Sequence, residues 1–213
     1  MNNIIKINNL TKVIKGKYLL KNINLEISSP GVYGIVGRNG SGKSILFKSI
    51  AGLLSPTAGS IHIFNKKIGN GSFPESFGAI LDTPGFISHY SGYRNLKLLA
   101  SIQKIASDED IKRCISIVGL DYNDKTPVKK YSLGMKQRLG IAQSIMENPN
   151  LLILDEPMNG LDEDGINDIR NMLLDLKKEG KTLLLASHNS EDIRMLCDAV
   201  YKMESGELKE INY

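Results

Sequence analysis

The sequence predicts an α/β protein in which helices flank a parallel sheet and a helical insertion interrupts it. Three observations predict this. Short apolar runs alternate with amphipathic stretches in the first and last thirds of the chain, as happens when helices cover both faces of a parallel sheet. The middle, about residues 83–147, has helical spacing almost throughout. A glycine-rich loop, Gly37-Arg38-Asn39-Gly40-Ser41-Gly42-Lys43-Ser44, lies between an apolar strand and a helix.

Taken in order, residues 4–8 and 23–27 alternate apolar with polar, as half-buried strands do. Residues 32–36 are an apolar run ending at Gly37, and from Gly42 the chain turns helical through Ile45, Leu46 and Ile50. Residues 60–64 predict a short strand before a polar turn with Lys66 and Lys67. Residues 77–81 predict a buried strand that stops before Pro84-Gly85. Residues 95–104 and 108–118 carry helical apolar spacing, and the second opens on an acidic run that suits the positive end of a helix. Residues 132–147 form a further helix, with Met135, Leu139, Ala142 and Ile145 at three- and four-residue steps; Asn148-Pro149 ends it. A strand at 151–154 follows. Ile166, Ile169, Leu173 and Leu176 mark an amphipathic helix ended by Gly180, and a buried strand at 182–186 leads to a short helix near 191–196. Two edge-like strands close the chain. No internal repeat or linker interrupts this order.

A chain of 213 residues fits one core domain carrying an inserted subdomain. The net charge of +4 is spread with both signs mixed, so there is no basic arm and no direct nucleic-acid partner is expected. Cys114 and Cys197 are far apart and form no metal-spaced pair, which points to a reducing cytosol. The opening Met1-Asn2-Asn3-Ile4-Ile5-Lys6 lacks the apolar stretch of a leader. No window approaches the ~18 uninterrupted apolar residues of a membrane span, so a membrane role is expected to be peripheral, through a partner.

The loop at 37–44 matches a phosphate-binding pattern: two glycines bracket four residues before Lys-Ser. Glycines let the backbone curl so that successive N–H groups face inward onto phosphate oxygens. The helix starting there adds its positive end to the same anion site. Lys43 would neutralise the β- and γ-phosphates of ATP, and the Ser44 hydroxyl would bind Mg²⁺. Leu151-Leu152-Ile153-Leu154-Asp155-Glu156-Pro157 supplies the complement. A buried strand delivers two carboxylates at its C-terminal end, where open α/β sheets bind ligands. Asp155 would join the Mg²⁺ shell, and Glu156 would orient and deprotonate the attacking water.

Three more segments carry a family resemblance. Tyr131-Ser132-Leu133-Gly134-Met135-Lys136-Gln137-Arg138 resembles the signature motif of ATP-binding cassette (ABC) proteins. Met158-Asn159-Gly160-Leu161-Asp162 resembles their D-loop, and Ser187-His188 their switch histidine. The motifs stand in family order over essentially the whole chain. The resemblance implies a P-loop NTPase core with a small N-terminal antiparallel β part and an inserted helical subdomain. Its segments would be 1–82 (core with phosphate loop), 83–147 (helical subdomain with signature) and 148–213 (rest of the core). It also implies that two cassettes face head to tail, each signature capping the nucleotide on the other's phosphate loop. Ser132 and Gly134 would then meet the γ-phosphate, while His188 would touch that phosphate and brace Glu156. His62 and His89 match nothing.

The sequence departs from the family in places. Asp82 stands where glutamine usually reaches Mg²⁺ and the attacking water, and ionised aspartate only accepts hydrogen bonds. That acidic residue and the Ser-Leu-Gly-Met run, with Leu133 replacing a usual glycine, resemble bacitracin and lantibiotic self-protection exporters. The position of the usual adenine-stacking aromatic falls on Ile14, leaving either an aliphatic contact or Tyr18. Pro84, Phe86, Ile87, Tyr90 and Tyr93 form an aromatic-rich stretch expected either to receive a permease helix or to pack internally. The expected protein is a cytoplasmic ATPase, peripheral on the inner face of the membrane. Its partners would be an integral membrane permease and a second ATP-binding subunit, and its cargo an antimicrobial peptide or related amphiphile. The alternatives are a soluble ABC-class ATPase acting on nucleic acid or ribosomes, and a regulatory nucleotide-binding subunit of low activity.

Overall fold

A computed structural model describes residues 3–212; Met1 and Asn2, the first residues of the opening segment read above, lie outside them. Among the described residues ten strands form two sheets. The first is antiparallel, built from β1 (Ile5–Ile14), β2 (Lys17–Ile27), β4 (Ala58–Ile63) and β5 (Lys66–Ile68) in the order β2-β1-β4-β5. The second has six strands in the order β10-β9-β3-β8-β7-β6. They are β3 (Gly31–Val36), β6 (Phe77–Ile80), β7 (Leu151–Asp155), β8 (Thr182–Ala186), β9 (Ala199–Glu204) and β10 (Glu207–Ile211). All neighbours in it run parallel except β10 on β9.

Helix α1 (Lys43–Ile50) follows the phosphate loop. Its buried face of Leu46, Phe47 and Ile50 packs between the two sheets, against Ile5, Ile7, Ile35, Ile153 and Leu184. Helices α2 (Gly92–Gln103), α3 (Asp108–Ile117) and α4 (Leu133–Ile145) lie between β6 and β7 in sequence. They share a core with α5 (Glu163–Lys178) and the other sheet face, where Leu152, Leu154, Leu183 and Leu185 point. Alternate residues of β7 and β8 thus feed opposite cores, which is why both strands read as unbroken apolar runs. The short α6 (Ser190–Leu196) returns the chain to β9.

Predicted elements differ in three places. Lys66 and Lys67, expected in a polar turn, instead open the short strand β5, and the turn falls on Phe64 and Asn65. Residues 4–8 are only the start of β1, because Asn9 adopts φ 49° and the register slips between Ile7 and Leu10. A bulge breaks the two-residue period that the sequence reading relied on. The closing strands are not both edges either: β9 pairs with β3 on one side and β10 on the other. Its position was hidden because strand order is set by where α6 returns the chain, not by local pattern.

Candidate active site

A cleft of about 870 Å³ opens at the C-terminal ends of β3 and β7. Asn39 to Ile45 line one wall, Leu81, Asp82 and Thr83 another, and Asp155, Glu156 and His188 complete it. Gly37 and Arg38 do not line it; their carbonyls instead accept hydrogen bonds from Lys43 Nζ at 2.7 and 3.4 Å. An ammonium has three donors, so the buried Lys43 keeps capacity for a phosphate oxygen. Gly37 is required by close approach, since a Cβ there would lie 2.3 Å from the Met203 carbonyl oxygen. Among the described residues the buried Ser41 hydroxyl has no hydrogen-bond partner. An orphaned hydroxyl on the wall of an anion cradle fits a ligand that supplies acceptors.

The Ser44 hydroxyl donates to Asp155 Oδ2 at 2.7 Å. Both are oxygen ligands suited to a hard cation that keeps waters and takes its remaining ligands from phosphate. Among the described residues no cluster of three or more His, Cys, Asp or Glu could hold a metal by itself. Glu156 follows at φ 53°, a left-handed conformation that costs a non-glycine residue on the order of 1–3 kcal/mol and tends to mark functional sites. Its backbone is held by an N–H bond to the Ala186 carbonyl (3.0 Å) and by Gln137 Nε2 on its own carbonyl (3.2 Å). The His188 N–H donates to Glu156 Oε2 at 3.2 Å. His188 Nε2 lies 3.3 Å from Oε1, near enough for attraction but without the geometry of a hydrogen bond. Burial pushes the Glu156 carboxyl above its ordinary range. The His188 N–H and ring oppose that rise, Asp155 adds to it, and Lys43 opposes it.

Asp82 lines the cleft, yet its carboxylate is paired with Lys48 of α1 at 2.8 Å. Tyr18 lines the cleft beside the loop and Ile14 does not. Ser132 and Gly134 do not line it either. Ser132 caps α4, its hydroxyl accepting from Met135 N–H at 3.1 Å. Leu133 beside it is 59% exposed and sits against Gly160. The aromatic-rich stretch divides: Phe86 and Tyr93 pack against the helical core, Pro84 lies against Gly140, and Ile87 is exposed. Arg94 lies over the Tyr90 ring at 3.8 Å.

Sequence reasoning missed two contributors. Gln137 lines the cleft and also donates to the Pro157 carbonyl at 3.1 Å. Its signal was a polar residue on the apolar face of α4. The Ser205-Gly206 turn closes the cleft's other end, with hydrogen bonds from Lys21 N–H to the Gly206 carbonyl and from Gly206 N–H to the Ser41 carbonyl. No local pattern signals that contact.

Residues 20–159, which span the phosphate loop, the signature segment and the Asp155-Glu156 pair, match the ABC transporter family. This chain belongs to that family. The cassette is 45% identical over 207 residues to the uncharacterized ABC transporter ATP-binding protein YybJ of Bacillus subtilis (strain 168), covering 97% of this chain and 95% of the relative. It is 40% identical over 213 residues to the bacitracin transport ATP-binding protein BcrA of Enterococcus faecalis, covering 99% of this chain and 69% of the relative. Identity to the lantibiotic transport ATP-binding protein SrtF of Streptococcus pyogenes is 39% over 205 residues, covering 96% and 89%. The resemblance read from Asp82 and the Ser-Leu-Gly-Met run is thus matched by relatives bearing those names. The fold is shared, at TM-score 0.87 and 24% identity over 98% of this chain and 99% of the other, with a dimeric post-hydrolysis structure of the cassette MJ0796 bound to ADP and Pi. The protein is an ABC transporter ATP-binding subunit and an ATPase. No described helix is long and apolar enough to cross a membrane.

Proposed function

We propose that two copies of this cassette, or one with a close relative, close on ATP and drive an integral membrane permease that exports an antimicrobial peptide or related amphiphile. The subunit itself would sit in the cytoplasm, held to the membrane by that permease. The observation that carries this reading is a division of labour. One cleft gathers Lys43, Ser44, Asp155, Glu156 and His188, while Ser132 stands exposed at a helix start outside it. A hydroxyl and free N–H groups at a helix N-terminus suit a phosphate, and only a second chain's nucleotide could be presented to them.

Within the cleft the phosphate loop would hold the triphosphate and Lys43 would pair with its β- and γ-oxygens. Ser44 and Asp155 would hold Mg²⁺, which supplies neutralisation of phosphate charge. Glu156 would accept the proton of the attacking water; burial that raises its proton affinity makes it a better base. His188 would orient Glu156 and touch the γ-phosphate. Asp82 would exchange Lys48 for the water or the cation's hydration shell. That exchange is easy, because an exposed ion pair is worth at most about 1 kcal/mol. Tyr18 rather than Ile14 would carry the base. Loss of the γ-phosphate removes what joins the two chains and lets them part. The names of BcrA and SrtF support the cargo class. The permease would dock beside Ile87 and on the groove lined by Phe77, Leu99, Ile102 and Met146, where Ile102 is exposed.

Mixing two inactive variants tests the shared site. Lys43→Ala destroys the phosphate loop and Ser132→Arg blocks the signature, so a mixed dimer keeps one intact composite site. Phosphate release should reappear on mixing, at roughly a quarter of the wild-type rate if half the dimers are mixed. Two variants that stay dead together, each shown to be folded, would exclude the arrangement.

A further inference from the structure

His188 is 51% exposed on its side chain, so packing alone does not fix its position over Glu156. The loop that carries it is fixed from beneath by a buried polar chain that the proposed chemistry does not use. Arg170, on the long α5, donates from Nε and a terminal nitrogen to Asp192 Oδ1 at 2.8 and 2.6 Å. It also reaches Glu191 Oε2 at 2.9 Å. The side chains of Arg170 and Asp192 are 7% and 2% exposed. The other Asp192 oxygen accepts from the Ser187 hydroxyl at 2.7 Å. Ser187 Oγ in turn accepts from the Asn189 N–H at 3.0 Å. One hydroxyl therefore ties the backbone on both sides of His188.

We propose that Asp192, oriented by Arg170 and acting through Ser187, is a positioning residue that holds His188 in register with Glu156. A buried ion pair is a poor way to gain stability, because apolar side chains of similar volume often do as well or better. What such a pair supplies is direction. Two guanidinium N–H groups pin one carboxylate oxygen, the other oxygen holds the serine hydroxyl, and the serine holds the loop. α5 is a suitable frame, with Ile169 and Leu173 fully buried on either side of Arg170 along the helix. Neither Arg170, Asp192 nor Ser187 lines the nucleotide cleft, so their effect on turnover is indirect, and the His188→Ala background shows whether it passes through His188.

The inference rests on Glu156 and His188 being the catalytic groups, and the test separates the two ideas. Steady-state phosphate release by the full chain is measured for Ser187→Ala, Ser187→Thr, Asp192→Asn and His188→Ala, with Glu156→Gln as reference. Ser187→Ala should lower kcat about tenfold, the scale of a small misplacement next to the chemistry, with KM for ATP within about twofold. Ser187→Thr, which keeps the hydroxyl, should recover most of that loss. Adding Ser187→Ala to His188→Ala should change kcat by less than about twofold, because residues acting as one unit are not additive. A folded Ser187→Ala with wild-type kcat overturns the proposal while leaving Glu156 and His188 in place. So does a loss that repeats in full in the His188→Ala background, since that marks a merely structural role. Wild-type turnover by Glu156→Gln would instead bring down the catalytic reading on which this rests. Should Asp192→Asn fail to fold, the serine series decides.

Discussion

The phosphate-loop side of the cassette and the signature side differ in how much of their chemistry one chain satisfies. On the loop side Lys43 is braced by two carbonyls, Ser44 by Asp155, and Glu156 by His188 and Gln137. At the other side Ser132 caps its own helix and is exposed, and the apolar Leu133 faces outward beside it. The first is a pocket in which these groups are already held by the chain's own hydrogen bonds. The second, on the proposed reading, would be half of an interface. The two are linked inside the chain by one helix, since α4 carries Ser132 at its start and Gln137 one turn later on the Glu156 carbonyl.

The contrast can be broken most decisively at Glu156. Glu156→Gln should reduce turnover by about 10²- to 10⁴-fold, the usual worth of a positioned base, while ATP still binds. Light scattering in Mg-ATP should then find stable dimers; a monomer at saturating nucleotide would refute the half-interface reading. Next in size, Lys43→Ala should weaken ATP binding by roughly ten- to a hundredfold, because a charge-assisted contact contributes about 1.5–3 kcal/mol. Titration calorimetry measures it, and unchanged affinity would mean that the loop side is not the cradle. A smaller effect sharpens the base end. Tyr18→Ala should weaken ATP binding about five- to tenfold, the worth of roughly 1 kcal/mol of stacking, whereas Ile14→Ala should stay within about twofold. The reverse ranking would return the base to Ile14.

The smallest expected effect lies away from both sides. Burial pushes the Cys197 thiol up to about 12. At pH 8 the folded protein should therefore carry almost no Cys197 thiolate, and the thiolate is the reactive form. Alkylation followed by mass spectrometry should leave this residue unmodified until the protein is unfolded, when its pKa falls back toward the ordinary value near 8.5. Rapid modification of the native chain would show that the β9 side opens more readily than its packing implies.

Much of this was legible because the decisive groups are contiguous. The phosphate loop needs a strand, a run of glycines and a helix start within a few residues, so its chemistry and local geometry are written in one segment. Asp155-Glu156 at a strand end and His188 two residues beyond the next strand are nearly as local. The sequence by itself also determined the alternation that makes the sheet parallel, since a run buried on both faces cannot be polar.

Tertiary structure decided whatever depends on which distant segments meet. It brought Tyr18 and not Ile14 to the cleft, turned Phe86 and Tyr93 inward, and paired Asp82 with Lys48. It joined the Ser205-Gly206 turn to the phosphate loop and Arg170 to the His188 loop. These contacts span tens of residues or more and leave no periodicity. A side chain's partner is fixed by strand order and helix packing, which are properties of the assembled fold rather than of any one segment.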